Sequence, residues 1–183
     1  MTGSNPQEAE ESGAVHLTAW LMALVRNRQY GDLAQLRRTT GGSTARYRAG
    51  WFAADQDERD IFEQVAFLFA VYHRGVQKPS PGYGSFGVAA RRIGRLRARG
   101  PEDPGATRLL DRIVSDRRIP WRHLQHGIAR LRACEQQPPS WTVLCTDLSR
   151  WSDRKARVAD RWAVDFHEPH DLRRTVRQKG GTQ

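Results

Sequence analysis

Residues 61–72 are apolar nearly all round, and this constrains the fold more than any other stretch of the chain. A helix that is hydrophobic on most of its surface has to be enclosed by other elements. It is too short to cross a membrane, which takes roughly 20 apolar residues. The elements that would enclose it carry apolar residues at helical spacing. Before it come Leu17, Trp20, Leu21, Leu24 and Val25, then Leu33 and Leu36. After it come Phe86, Ala89, Ala90, Ile93 and Leu96, then Ala106, Leu109, Leu110, Ile113 and Val114. Three further groups follow: Trp121, Leu124, Ile128 and Leu131; Trp141, Leu144, Leu148 and Trp151; and Val158, Ala159, Trp162 and Phe166. No segment sustains period-two alternation, so an all-α chain of about eight helices with no sheet is expected.

The start and stop signals fit that reading. Asp32 can cap a short second helix, Asp57 starts the central one, and a fourth begins near Ser85. Pro120 suits the first turn of a sixth helix, and Ser152 can cap the eighth. Residues 44–54 are ambiguous, with Tyr47, Trp51 and Phe52 expected as core anchors. Residues 75–84 read as a Gly/Pro loop, and Gly41-Gly42 as a helix end. Gly100, Pro101 and Pro104 make the strongest break. They divide residues 14–100 from residues 101–167, as one compact domain or two small helical lobes sharing a core. Residues 1–13 are polar and expected to be disordered, and residues 168–183 form a flexible basic tail.

Charge points to the partner. The chain has 30 Lys plus Arg against 20 Asp plus Glu, a net charge of +10, and its only lysines are Lys78, Lys155 and Lys179. Arginine presents a planar fork that matches phosphate oxygens. On helices of 3.6 residues per turn the arginines fall into stripes. Arg91, Arg92, Arg95 and Arg99 share an arc of the expected fourth helix, opposite its apolar stripe. Arg108 and Arg112 share a face of the fifth, as do Arg122, His126 and Arg130 of the sixth. Arg154, Arg157 and Arg161 follow one another at spacings of three and four in the eighth, and Arg37-Arg38 and Arg117-Arg118 sit at helix ends. Each stripe alone is what any solvated helix face shows. Together, with few interleaved carboxylates, they suit a phosphate track. Asn and Gln are too sparse on the stripes to read bases, so binding without sequence preference is expected.

Motifs for catalysis are weak. Residues 82–87 spell G-x-G-x-x-G but follow no strand, which a dinucleotide fold requires. His123, His126, Cys134 and Cys145 are too loosely spaced for zinc, and both cysteines read as small core residues. His73 reads as a cap or a packed histidine. The acids Asp55, Asp57, Glu58 and Asp60 would suit a metal-ion nuclease, but helix initiation explains them more simply. A non-enzyme with no cofactor, no metal and no small-molecule substrate is therefore expected. The polar, acidic first residues do not read as a signal peptide, so a cytoplasmic chain with reduced thiols and no membrane partner is expected.

Several of these pieces, taken in order, resemble the CasB family, the small subunit of the type I-E CRISPR surveillance complex Cascade. Leu36-Arg37-Arg38 follows a Trp-containing first helix, and Phe67-Leu68-Phe69-Ala70 with His73 resembles the family's central helix. Ser85-Phe86-Gly87 with Ala89-Ala90-Arg91-Arg92 resembles its Ser-Leu-Gly helix start, and Arg108-Leu109-Leu110 the opening of its second lobe. Trp141, Asp147-Leu148, Trp151, Val158 and Trp162-Ala163 resemble its C-terminal signature. One departure is Leu124-Gln125-His126, where the family often carries Leu-Arg-Arg. The resemblance implies a two-lobed helical bundle, present as a pair of copies beside the other Cascade subunits and the guide RNA. It also implies a positive track for the displaced strand of target DNA in the R-loop. The alternatives from the residues alone are a free-standing architectural or regulatory nucleic-acid binder and a small nuclease.

Overall fold

A computed structural model describes residues 6–38, 43–95 and 98–168, with the side chains at 6–11, 95 and 98 excepted. In chain order the helices are α1 (Pro6–Arg26), α2 (Tyr30–Leu36), α3 (Thr44–Gly50), α4 (Gln56–Tyr72) and α5 (Phe86–Ala90). They continue with α6 (Pro104–Val114), α7 (Trp121–Ala133), α8 (Trp141–Ser149) and α9 (Val158–His167). The all-α class holds. Residues 41 and 42, expected to end a helix, and the tail from 169 lie outside the described residues.

α4 is the enclosed helix that its composition demands. Phe62, Val65, Ala66, Phe67, Leu68, Phe69 and Ala70 are buried, and α1, α2, α3, α7 and α8 pack around it. Its start is capped by Asp55, whose Oδ1 accepts from the Glu58 N–H at 2.9 Å, while Glu58 Oε2 accepts from the Ala54 N–H at 3.1 Å. This reciprocal arrangement satisfies two donors at once. At the other end His73 is buried and stacks on Phe69 with ring centroids 3.9 Å apart. Its Nδ1 lies 2.9 Å from the Phe69 carbonyl, and its Nε2 lies 3.0 Å from the Ser80 N–H. A carbonyl only accepts and an amide N–H only donates, so the ring is held in one neutral tautomer.

Burial pushes the His73 pKa down to about 4 from 6.5. The unfolded chain then binds the extra proton between those values, so stability falls as the pH drops through that window. We expect unfolding stability to decrease by roughly 2–3 kcal/mol between pH 7 and 4.5 on account of this one residue. Urea titrations of wild type and His73→Gln at both pH values check this. An equally large acid loss in both would show that His73 is not the group responsible.

One core runs the length of the fold. α8 packs on α1, where Thr142 and Thr18 hydroxyls meet at 3.1 Å, and α9 packs on α5. The break at residues 100–104 therefore does not separate two cores. The α5–α9 crossing is close because Gly87 has no side chain. A Cβ there would lie 2.1 Å from the Trp162 carbonyl oxygen.

Several sequence expectations change. The fourth helix does not continue to Arg99; α5 stops at Ala90. Gly94, at φ 127°, turns the chain back, and a two-residue ladder pairs β1 (Gly94–Arg95) with β2 (Ala98–Arg99). The Gly100 N–H closes the turn on the Ile93 carbonyl at 2.9 Å, and Ile93 is buried. α1 starts at Pro6, inside the segment expected to be disordered. Proline suits a first turn, and the acids at 8, 10 and 11 favour a helix N-terminal end. Asp32 sits inside the first turn of α2, with Gln29 at the cap. Arg157, at φ 47°, stands at the cap of α9 in place of Ser152. Phe52 is half-buried, but Tyr47 and Trp51 are not core anchors, being 61% and 73% exposed.

Candidate nucleic-acid interface

α6 is capped by Asp103, which accepts from the Ala106 N–H at 2.7 Å, and opens on Pro104. It turns Leu109, Leu110 and Ile113 inward, which sends Arg108 and Arg112 out. α7 buries Leu124, Gly127, Ile128 and Leu131 and exposes Arg122, Gln125 and His126. The two helices are joined only by residues 115–120, so they lie side by side. Between them runs a groove of about 660 Å³ lined by Arg108, Arg112, Arg122, His123, His126 and Arg130. Arg130 pairs with Asp103 at 3.4 Å. No ion pair among the described residues engages Arg108, Arg112 or Arg122. Three such guanidiniums around one groove have the chemistry that suits anionic oxygens.

The opposite flank of α7 is also basic. Arg37, Arg74 and Gln125 line a hollow of about 490 Å³ floored by Phe67 and Val71. Arg37 donates to the Ala70 carbonyl at 3.4 Å, which satisfies a carbonyl near the end of α4. Burial, and then the positive charge of Arg74, hold the Arg37 guanidinium below its usual pKa. A phosphate between two like charges would relieve that repulsion.

The other candidates are scattered. Arg38 is exposed, and its carbonyl accepts from the Arg46 guanidinium at 3.2 Å. Arg117 and Arg118 are exposed in the α6–α7 connection. The fourth-helix stripe does not exist as a stripe. Arg91 is half-buried and donates to the Phe166 carbonyl at 2.8 Å, and half-buried Arg92 donates to the Tyr83 carbonyl at 3.3 Å. Arg99 is exposed on β2, and the Arg95 side chain lies outside those described. The eighth-helix stripe dissolves too. Arg154 precedes α9 in an exposed turn, Arg157 pairs with Asp160 at 2.7 Å, and Arg161 bonds Asp147.

Sequence reasoning placed His126 and Arg130 on the same stripe as Arg122 but left Arg74 and His123 off the basic track. The short 115–120 connection was the available signal for His123, because it makes α6 and α7 neighbours. Arg74 had no local signal.

The other chemical groups are engaged in structure. The Asp55 and Glu58 carboxylates accept backbone N–H groups. Cys145 is fully buried, which pushes its thiol pKa up, and Cys134 is partly buried. Asp147, pushed up by burial, accepts from Trp162 Nε1 at 2.6 Å and from Arg161. Among the described residues no group of three or more His, Cys, Asp or Glu is placed to hold a metal. Nor, among those residues, is any helix long and apolar enough to cross a membrane.

The family model of CRISPR-associated protein Cse2 matches residues 32–167. The crystal structure of CasB from Thermobifida fusca superposes with a TM-score of 0.71 over 87% of this chain and 98% of that one. Sequence identity with it is 15%, so this likeness speaks for the fold. No curated protein matches in sequence.

Proposed function

The chain belongs to the CRISPR-associated protein Cse2 family, and from that premise we propose that it is a non-catalytic structural subunit of a type I-E Cascade complex. In this reading it binds nucleic acid through phosphates, without sequence preference, and steadies the displaced DNA strand of the R-loop and the complex with guide RNA. The observation that carries it is the α6–α7 groove, where Arg108, Arg112 and Arg122 have no ion-pair partner among the described residues. R-loop formation is a near-balanced exchange of one duplex for another, so backbone contacts of this kind suffice to tip it. Sequence choice is left to guide–target pairing. The partners are the other Cascade subunits, guide RNA, the displaced strand and a second copy of the chain. The engaged acids of residues 55–58 support a non-enzyme.

Co-expression with the remaining Cascade subunits tests this. The chain should co-elute with them and with guide RNA, and omitting it should weaken target-DNA binding while leaving mismatch rules unchanged. A chain that elutes alone, with target binding unaffected by its loss, would favour the free-standing binder.

A further inference from the structure

Two histidines stand in the α6–α7 groove beside its arginines. His123 is half-buried and His126 exposed, and both line the groove with Arg108, Arg112, Arg122 and Arg130. His126 lies four residues from Arg122 and four from Arg130, so these three side chains follow one another along one face of α7. His123 stands one turn before His126 on the same helix. Among the described residues no hydrogen bond or ion pair engages either ring. This sets them apart from His73, whose two ring nitrogens are both taken by the backbone.

The charges that face the two rings are positive. α6 contributes Arg108 and Arg112, and α7 itself contributes Arg122 and Arg130. Asp103 reaches the groove only through its pair with Arg130. Asp111 and Asp116 are exposed and do not line it. α5 packs on α7 without an ionisable side chain, and none of the acids of α4 lines the groove. An anion that enters therefore meets guanidinium and imidazole, with no carboxylate among the described lining residues. A neutral imidazole has one N–H donor and one acceptor nitrogen, and the acceptor repels a phosphate oxygen. A protonated ring has two donors and a full charge, so a phosphate in the groove favours that form.

We infer that His123 and His126 are phosphate ligands of the α6–α7 groove in their protonated form, so that binding nucleic acid takes up protons and tightens as the solution becomes more acid. The inference rests on the nucleic-acid reading above and adds a control on that same groove. Histidine is the side chain that ordinarily changes charge between pH 5 and 8. The arginines alone give no such dependence, because a guanidinium stays charged throughout.

The test follows the affinity of the full chain for an oligothymidine strand without terminal phosphates, near 0.1 M salt, from pH 8 to pH 6. Neither thymine nor a phosphodiester titrates in that interval, so a change belongs to the protein. Circular dichroism at each pH checks that the chain stays folded. Wild type should bind about tenfold or more tightly at pH 6 than at pH 8. Calorimetry in buffers of different ionisation heat should read the protons taken up. His123→Gln and His126→Gln should each lower the slope of affinity against pH, and together should abolish it. His126→Arg should bind at pH 8 about five- to eightfold more tightly than wild type, and keep only the His123 share of the slope. His16→Gln, exposed on α1, should keep the full slope. Salt-sensitive binding that is equally tight at pH 8 and pH 6 would overturn the inference and leave phosphate binding standing. A slope that survives the double variant would overturn it too. No salt-sensitive binding at either pH would remove the nucleic-acid reading itself, and the inference with it.

Discussion

A chain carrying Arg108→Ala, Arg112→Ala and Arg122→Ala together should bind a DNA strand about 10²–10³-fold more weakly near 0.1 M salt. Each guanidinium that neutralises a phosphate releases about 0.7–0.9 of a counterion, so losing three should lower the log–log salt slope by roughly two to three. These side chains are exposed and make no ion pair among the described residues, so folding stability should move by less than about 0.5 kcal/mol per residue. The contrast is Arg91→Ala. Arg91 donates to the Phe166 carbonyl, so its loss should lower thermal stability and spare the slope. Affinity across a salt series and melting curves for both variants decide the matter. If Arg91→Ala flattens the salt dependence while the triple variant binds as wild type, the phosphate track does not run along α6 and α7.

Gly87→Ala should be among the most damaging single-methyl additions in the protein. The new Cβ would meet the backbone of Trp162: its carbonyl oxygen at 2.1 Å, its carbonyl carbon at 2.8 Å and its Cα at 2.9 Å. No rotamer change relieves a clash with main chain, so α9 as a whole has to move off α5. Trp162 also donates to Asp147 and packs against Phe86 and Trp151 with centroids 5.2 and 5.1 Å away. The shift would therefore loosen a buried hydrogen bond and two ring contacts as well. We expect a loss of about 3 kcal/mol or more, the upper end for overpacking, and a melting temperature lower by about 6–12 °C. Gly127→Ala provides the comparison. Its Cβ would meet side-chain atoms and no main chain, the Phe86 ring at 2.6 and 3.3 Å and Leu109 Cδ2 at 3.5 Å, which can shift without moving a helix, so a smaller loss of about 1–2 kcal/mol is expected. Thermal melts that rank Gly127→Ala as the worse variant would refute this account of the crossing.

What the sequence made legible depended on the range of the interaction. α4 was readable because it is apolar nearly all round, and α6, α7 and α8 because their apolar stripes define a face; the helix start at Ser85 lies where expected, while Pro120, expected in a first turn, stands one position outside it as the N-cap of α7. The α3 face was misread for a physical reason. Its apolar residues occur on both sides, and spacing alone does not say which side is buried. Ala45, Ala49 and Gly50 face inward because small residues let α3 approach α4 closely, and this turned Tyr47 and Trp51 out. The arginine stripe of residues 91–99 failed because α5 already ends at Ala90 and Gly94, at φ 127°, turns the chain into the short ladder, whereas the apolar spacing runs on to Leu96 as if the helix continued. In the candidate interface, Arg108 and Arg112 were singled out as phosphate contacts on one helix and Arg122 on another. Their convergence on one groove, and the addition of Arg74 across α7, are consequences of packing that no single helix encodes.

The seating of α8 on α1 also has a consequence for how the chain is made. Leu17, Leu21 and Leu24 are fully buried in the finished protein, and α1 is bonded to α8 through Thr18 and Thr142, 124 residues apart. A ribosome adding about 5–20 residues per second leaves the first helix without that partner for roughly 6–25 s. During that interval part of its leucine face has nothing of its own chain to rest on. The nascent protein is therefore most open to capture by chaperones, or by neighbouring nascent chains, before α8 has been translated.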